Sequence, residues 1–389
     1  MKEYRVGIIG FGFMGKVHAY GHINLPLFYD PAPLRSRITH ICDTHAPTAQ
    51  KGAGMFGARA VTDYRQVTEN PEVDIVHVCT PNLLHKDPLL SAMKHNKHVL
   101  VDKPLTATMD EARQIEAALK DYQATGQMEL QSRFFPATMR ARQLIEQGFL
   151  GKVLQFRTLY LHAGSADPKA PLKWKLSAAA GGGVVPDLGS HILDLMHFLL
   201  GDYDKLFATT HIAYPERPSA DEPSKMVKVE AEDVVTVVAK MTCGALGTLE
   251  ATKLATGSED EIRFEIHGAN GGLRFNCMDP HHLEAYDASI TDQPLGGNRG
   301  WTRIDCGQRY GAPKAGTSAL GTPPKPATMF PGPKFAIGWI RSHLACIAGF
   351  LQNVADGKPG DPPLSQGVYI QHLMECVKQS ARTEKWVTV

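Results

Sequence analysis

Three polar residues, one of them far from the other two in the sequence, have the chemistry to oxidise an alcohol. Lys103 stands in the tetrapeptide VDKP, while Asp187 and His191 lie four residues apart in GGGVVPDLGSHILDL. Hydride transfer from a carbinol needs a group that takes the hydroxyl proton, and histidine has a pKa near the working pH for that task. Asp187 could orient the imidazole or bind a neighbouring hydroxyl, and Lys103 could stabilise developing oxyanion charge. Taken alone, Asp187 and His191 are better explained as a pair on a helix surface, and Lys103 as a surface lysine. With the motifs described below, we assign His191 as the base, with Lys103 as the main alternative.

The helix predicted over residues 186–200 carries both Asp187 and His191 and also contains a pattern of metal-ligand types. Asp194 and His197 extend the pattern, and carboxylates with imidazoles can bind a divalent ion. Residues four apart share one helix face, but the three-residue steps to Asp194 and His197 drift around the helix. We therefore predict no metal.

A glycine-rich turn near the N-terminus is the second chemical pattern. In VGIIGFGFMG, Gly10, Gly12 and Gly15 have the GxGxxG spacing, with Phe13 and Met14 between the last two. Gly10 would allow a tight turn, Gly12 would let the backbone approach a pyrophosphate, and Gly15 would permit close helix–strand packing. The following helix would offer its free N–H groups to the phosphates. Because the motif follows a strand-like run, it predicts dinucleotide binding rather than a purely structural turn.

An acidic residue after the second strand should bind the adenosine ribose. The usual spacing of about 20 residues points to Asp30, but Asp30 lies in LPLFYDPAP, where prolines argue against a central strand. Asp43 follows the strand-like RITHIC, with Thr44 beside it, so we assign these two residues and interpret residues 25–36 as an insertion. An acid here repels a 2′-phosphate, which favours NAD over NADP.

Two further loops follow predicted parallel strands, at the edge where such sheets bind ligands. The loops are CTPNLLH and VDKP. We assign to the cofactor their residues Thr80, Pro81, Asn82, His85, Asp102, Lys103 and Pro104.

Taken together, GIIGFGFMG, CTPNLLH, DKP and GGGVVPDLGSHILDL resemble the Gfo/Idh/MocA oxidoreductases over essentially the whole chain. The family's Glu-Lys-Pro appears here as Asp102-Lys103-Pro104. The resemblance implies that Lys103 lies near the nicotinamide and the reacting hydroxyl. It also implies that Asp187 and His191 correspond to the Asp and the His of the family's second-domain helix. By the same resemblance, Gln131-Ser132-Arg133 stands near the nicotinamide ribose, with Gln131 in contact with the cofactor.

The resemblance also implies a substrate class: a sugar, cyclitol or glycoside whose secondary hydroxyl is oxidised by NAD. Trp174 in PLKWKL could stack on a sugar ring, although a core position is an equal alternative. We assign Trp174, Arg133 and His162 to the substrate, beside the three catalytic residues.

Other functions stay open. The chain could reduce a small carbonyl or act on a dihydrodiol, sense a dinucleotide without turnover, or be a metal-dependent lyase or hydrolase. The cofactor could also stay bound through turnover.

The spacing of apolar runs predicts two domains. Runs at 5–9, 38–42, 74–79, 98–101 and 128–131 alternate with helix-like segments, which predicts an α/β Rossmann domain with a doubly wound parallel sheet over 1–130. Longer alternating runs at 153–162, 234–241, 245–253, 262–267 and 272–277 predict an α+β domain over 131–389, with a large, mostly antiparallel, open-faced sheet. Helices are expected at 337–355 and 366–380, and the C-terminal helix could pack back on the first domain. Segments 214–228 and 308–334 resist assignment.

Composition limits the classes of partner. The 389 residues carry a net charge of +1 with no basic block, so we expect neither nucleic-acid nor membrane binding. Seven scattered cysteines without a CxxC pair indicate reduced thiols, and no signal-peptide pattern is present, so we expect a soluble cytoplasmic protein. By resemblance to the family, a homo-oligomer, dimeric or tetrameric, is expected.

Overall fold

The computed structural model describes residues 2–29, 31–290, 300–306 and 338–389. The described residues divide into two compact units, one within Met1–Phe134 and Gly311–Gln371, and the other within Phe135–Tyr310 and His372–Val389. Asp30, residue 337 and the unassigned segment 308–334 lie outside the described residues.

Unit 1 is built on a six-stranded parallel sheet with strand order β3-β2-β1-β4-β5-β6, which confirms the predicted doubly wound fold. Central strands such as β4 are buried on both faces because helices cover the sheet on either side. The elements are β1 (Glu3–Ile9), α1 (Phe13–Phe28), β2 (Arg35–Cys42), α2 (Ala46–Phe56), β3 (Arg59–Val61), α3 (Arg65–Thr68), β4 (Ile75–Val78), α4 (Lys86–Lys94), β5 (His98–Asp102), α5 (Met109–Ala118) and β6 (Gly126–Glu129).

Two helices late in the sequence complete the core of unit 1. Apolar residues of α8 (Ile340–Asp356), such as Ile347 and Phe350, pack with the β1 residues on one side of the sheet. Leu364 and Val368, at the start of α9 (Leu364–Thr383), pack on the other side. The remainder of α9 belongs to unit 2.

Unit 2 is built on a nine-stranded sheet of order β16-β15-β14-β13-β7-β12-β11-β8-β17. Every neighbouring pair is antiparallel except β7 with β12, so the predicted mostly antiparallel sheet is confirmed. Helices α6 and α7 pack on the sheet. The elements are α6 (Pro136–Glu146), β7 (Val153–His162), α7 (Ser190–Leu200), β8 (Tyr203–His211), β9 (Glu216–Pro218), β10 (Met226–Lys228), β11 (Val234–Met241), β12 (Leu246–Thr252), β13 (Asp260–Gly268), β14 (Gly271–Asn276), β15 (His282–Asp287), β16 (Thr302–Asp305) and β17 (Val387–Thr388).

The unassigned segment 214–228 contains the hairpin of β9 and β10. In the part of the chain that the structure covers, no helix combines the length and apolarity needed to cross a membrane. All seven cysteines are free.

Candidate active site

The glycine turn between β1 and α1 has the geometry that dinucleotide binding requires. Gly10 has a φ of +87°, and a Cβ there would lie 2.6 Å from the carbonyl oxygen of Cys79. A Cβ on Gly15 would collide with the carbonyl oxygen of Gly10, whereas one on Gly12 would meet nothing within 4 Å. Gly10 and Gly15 are therefore required by close packing, and Gly12 faces open space beside the start of α1.

The predicted residues beside Gly12 differ in exposure. Phe13, the first residue of α1, is 70% exposed, and its ring centroid lies 5.7 Å from that of Trp339. Met14 packs partly against the core. The first turn of α1 contains no acidic residue, so its N–H groups remain suited to phosphates.

Asp43 occupies the loop after β2 and holds the glycine turn. Its Oδ2 accepts a hydrogen bond from the backbone N–H of Phe11 at 3.0 Å, and its Oδ1 accepts one from the N–H of His45 at 2.9 Å. Each carboxylate oxygen keeps acceptor capacity for a ribose hydroxyl. Thr44 beside it is exposed.

The loop after β4 is tied to the loop after β5 through His85. The imidazole is fully buried, with Nε2 at 2.7 Å from the carbonyl oxygen of Thr80 and Nδ1 at 2.9 Å from that of Pro104. Both ring nitrogens thus contact carbonyl oxygens of the protein. His85 therefore connects the two loops and has no ring nitrogen available for the cofactor. Pro81 precedes a 3₁₀ turn, and Asn82 is buried in it.

Lys103 follows β5 and is half-buried. Its backbone N–H donates to Oδ1 of the buried Asp102 at 2.9 Å. Asp102 is paired in register with Glu129 of β6, which contacts Nδ1 of His343 at 2.9 Å. Burial raises the pKa of Glu129 well above its usual range, whereas burial, His18 and Lys103 hold the pKa of His343 well below its usual range. The pair beside Lys103 is therefore neutral.

The residues of unit 1 fit a bound dinucleotide. Thr80 Oγ1 and Gln131 Oε1 are buried polar atoms without a hydrogen-bond partner among the described residues, and both belong to the predicted cofactor set. A ligand hydroxyl or amide would satisfy them. Arg133, in the same 3₁₀ turn as Gln131, is only 1% exposed, which leaves little of it for substrate.

Asp187 in unit 2 lies in a π-helical turn, Val185–Gly189, that leads directly into α7. The sequence predicts one regular helix from residue 186, and the structure differs because the Ser190 N–H reaches back to the Val185 carbonyl. Such turns are often found at functional sites. His191 follows as the second residue of α7, four residues from Asp187 and 4% exposed.

Two lysines bind the Asp187 carboxylate. Lys175 Nζ lies 3.1 Å from Oδ1, and Lys253 Nζ lies 3.2 Å from Oδ2. Two ammonium groups at these distances favour the charged form of the carboxylate.

The ring of Tyr160 in β7 packs edge-on against His191, with centroids 5.4 Å apart. Its hydroxyl donates to Asp260 Oδ1 at 2.6 Å. Burial, then the charges of Asp260 and Asp187, raise the pKa of Tyr160 well above its usual range. Tyr160 therefore remains protonated and holds the imidazole in place.

The other predicted residues of unit 2 lie in a 3₁₀ turn, at the end of β7 and in α7. Trp174 is 39% exposed, so a core position is wrong for it. His162 is half-buried at the end of β7 and accepts the N–H of Gly164. His197 contacts Asp202 at 2.9 Å, and the described residues contain no group of three or more side chains placed to hold a metal.

Comparison with known proteins identifies the family. The description "Oxidoreductase family, NAD-binding Rossmann fold" matches residues 4–129, and "GFO/IDH/MocA C-terminal domain" matches residues 138–274. The chain belongs to the Gfo/Idh/MocA oxidoreductase family. The predicted family, enzyme class and NAD cofactor are thereby confirmed.

Several members of the Gfo/Idh/MocA family are similar to the chain over most of its length. Levoglucosan dehydrogenase of Pseudarthrobacter phenanthrenivorans is 29% identical over an alignment of 402 residues, gaps included, that covers 100% of this chain and 99% of that protein. A solved levoglucosan dehydrogenase in complex with NADH and levoglucosan is 30% identical, with a TM-score of 0.90 and full coverage of both chains. Inositol 2-dehydrogenase of Rhizobium meliloti is 25% identical over 292 residues, 75% of this chain and 81% of that protein.

Sequence reasoning missed Lys175 and Lys253, two partners of Asp187. Lys175 directly follows Trp174 and could have been suspected from that proximity. Lys253 lies 66 residues beyond Asp187 in the sequence, directly after a strand, where a lysine gives no signal by itself.

Proposed function

We propose that this Gfo/Idh/MocA oxidoreductase oxidises a secondary hydroxyl of a sugar, cyclitol or glycoside and passes the hydride to NAD+. The observation that carries the proposal is the arrangement in unit 2, where a carboxylate bound by two lysines precedes a buried histidine by one helical turn. The end-to-end similarity to levoglucosan dehydrogenase supports the substrate class.

Each residue has a distinct role in the proposed reaction. Bound NAD+ supplies the hydride acceptor. His191 takes the hydroxyl proton while the C–H bond delivers its electron pair as hydride, so that a carbonyl remains. The Lys103 ammonium donates a hydrogen bond to the reacting oxygen and stabilises its negative charge. Asp187 accepts a hydrogen bond from a neighbouring hydroxyl and fixes which carbon reacts.

We assign the phosphates of the cofactor to the glycine turn and the start of α1, and the adenosine ribose to Asp43. Thr80 and Gln131 would bind the remaining polar groups through their unpartnered oxygens. Trp174 is our choice for the apolar face of the sugar ring, because its indole is partly exposed beside Lys175.

An activity panel tests the proposal. NAD+ with levoglucosan, myo-inositol and a set of aldoses and glycosides should give NADH absorbance with at least one of these compounds. Lys103→Ala and His191→Ala should each lower kcat at least about 100-fold, the usual contribution of acid–base groups, while NADH binding persists. His197→Ala, on the same helix as His191 but bound to Asp202, serves as the matched control and should retain kcat.

The proposal fails if no compound is oxidised by enzyme that is shown to bind NAD+. Undiminished turnover of both alanine variants would refute the assigned residues while leaving the activity intact.

A further inference from the structure

The two lysines that bind Asp187 differ sharply in exposure. The Lys253 side chain is 5% exposed and that of Lys175 is 54% exposed, whereas Asp187 itself is 16% exposed. An exposed ion pair contributes little and is screened by salt, but a buried one is screened far less. Lys253 is therefore the partner that can define the position of the carboxylate.

Lys253 is itself held rigidly. Its ammonium lies 3.2 Å from the carbonyl oxygen of Lys175 and 3.3 Å from that of Gly183. Its backbone N–H donates to the carbonyl of Asp233, and its carbonyl accepts from the N–H of Ser165, both at 2.9 Å. The side chain thus joins the end of β12 to the segment that leads into the π-helical turn of Asp187.

Other ionisable groups surround the same turn. Glu232 Oε1 accepts the N–H of Val185 at 2.9 Å, and Tyr160 lies close enough for the Asp187 charge to raise its pKa. His191 follows one turn later. The positive charges of Lys175 and Lys253 therefore offset a locally acidic environment around Asp187.

We propose that Lys253 is a positioning residue: its buried ammonium keeps Asp187 ionised and in one orientation. The inference rests on the proposed function, in which Asp187 accepts a substrate hydrogen bond. Replacing both ions of a buried pair by apolar residues often leaves stability unchanged. We therefore explain the pair of Asp187 and Lys253 by the defined geometry that it gives the carboxylate, and not by stability. It follows that Asp187 acts as a fixed acceptor and the proton passes to His191.

The test compares Lys253→Met with Lys175→Met, the same change on the other lysine of the same carboxylate. Lys253→Met should lower kcat on the order of 100-fold, the effect of misplacing a group by about 1 Å. Lys175→Met should change kcat much less. Methylammonium should restore part of the turnover of Lys253→Ala, because it can occupy the vacated ammonium position.

Carbon-13 NMR of carboxyl-labelled aspartate measures the same effect without substrate. The Asp187 signal, identified by its loss in Asp187→Asn, should titrate about one pH unit higher in Lys253→Met than in wild type. An unshifted signal overturns the inference, as does an undiminished kcat in Lys253→Met. If the wild type oxidises no compound of the panel, the proposed function fails, and the NMR titration still decides the role of Lys253.

Discussion

Gly10 and Gly12 belong to one turn, yet an added methyl group would meet different surroundings at each. At Gly10 the backbone is left-handed, and the methyl would be pressed against the Cys79–Thr80 peptide. At Gly12 the backbone is not left-handed and the space is open. The same substitution should therefore separate a folding requirement from a binding requirement.

Gly10→Ala should lower the free energy of unfolding by about 2 kcal/mol, because strain and a backbone clash coincide there. Gly12→Ala should leave stability unchanged but weaken NADH binding at least about tenfold, since the methyl would occupy the approach to the pyrophosphate. Urea denaturation and fluorescence titration with NADH measure the two effects. Equal destabilisation by both changes, or undiminished NADH affinity of Gly12→Ala, would contradict this assignment.

At the residue scale, functional residues that lie close together in the sequence were predictable. Contacts between residues from distant segments were not. The glycine spacing and the four-residue interval from Asp187 to His191 are local patterns. The ion pair between Asp187 and Lys253 arises only when β12 reaches the π-helical turn. The engagement of both His85 nitrogens likewise depends on the loop after the neighbouring strand.

At the scale of elements, α1 and β4 share a buried chain of three histidines. His18 contacts His77 at 2.7 Å, and His22 contacts the other nitrogen of His77 at 2.8 Å. Burial lowers the pKa of His18 to about 3 and of His22 to about 4, and lowers that of His77 well below its usual range. Each contact needs one donor and one acceptor nitrogen, which neutral imidazoles provide.

The stability of the protein should therefore fall in mild acid. In the unfolded chain these histidines take up protons near pH 6.5, while in the folded chain they stay neutral to about pH 4. The unfolded state then binds more protons, so stability is fully present above pH 6.5 and decreases as the pH falls. The expected slope is roughly 1 kcal/mol per pH unit for each histidine.

His77→Leu should make this pH dependence shallower, even though it destabilises the protein at pH 7.5 by leaving His18 and His22 without their partner. The control is His95→Ala, at an exposed histidine, which should keep the wild-type slope. Urea denaturation at pH 7.5, 6 and 5 gives the comparison. Parallel stability curves for the wild type and His77→Leu would rule out a contribution from the chain of histidines.

Most strands with a strong apolar pattern were predicted from the sequence. The bounds of β7 and β11 match the prediction fully, because one buried face imposes a clear alternation. Helix α1 extends into residues 25–36, the interpreted insertion, and includes Pro26, since packing of α8 against it outweighs the lost hydrogen bond. No individual bounds were predicted for helices α2, α3, α4 and α6 or for strands β3, β8, β15 and β16, because short or polar segments carry little periodicity and depend on their neighbours for burial.

At the scale of the whole molecule, the nine-stranded sheet offers an exposed face for association between copies. Nine strands about 4.8 Å apart span roughly 40 Å, which is wide enough for a standard interface of about 800 Å² per partner. On this face Val238 of β11 lies beside Phe207 of β8 in register, and the ring of Trp386, 49% exposed, lies 6.1 Å from that of Phe207.

We therefore predict a homo-oligomer, dimeric or tetrameric, that associates through this sheet face. Val238→Glu should shift the mass measured by light scattering toward that of a monomer, because a buried unpaired carboxylate at an interface is strongly unfavourable. Lys51→Glu, which introduces a carboxylate on the exposed surface of α2 in unit 1, is the control and should keep the wild-type mass. A monomeric wild type would contradict the prediction of an oligomer. An unchanged mass for Val238→Glu would instead place the interface on another surface, because Val238 occupies the apolar part of the face between β8 and β12.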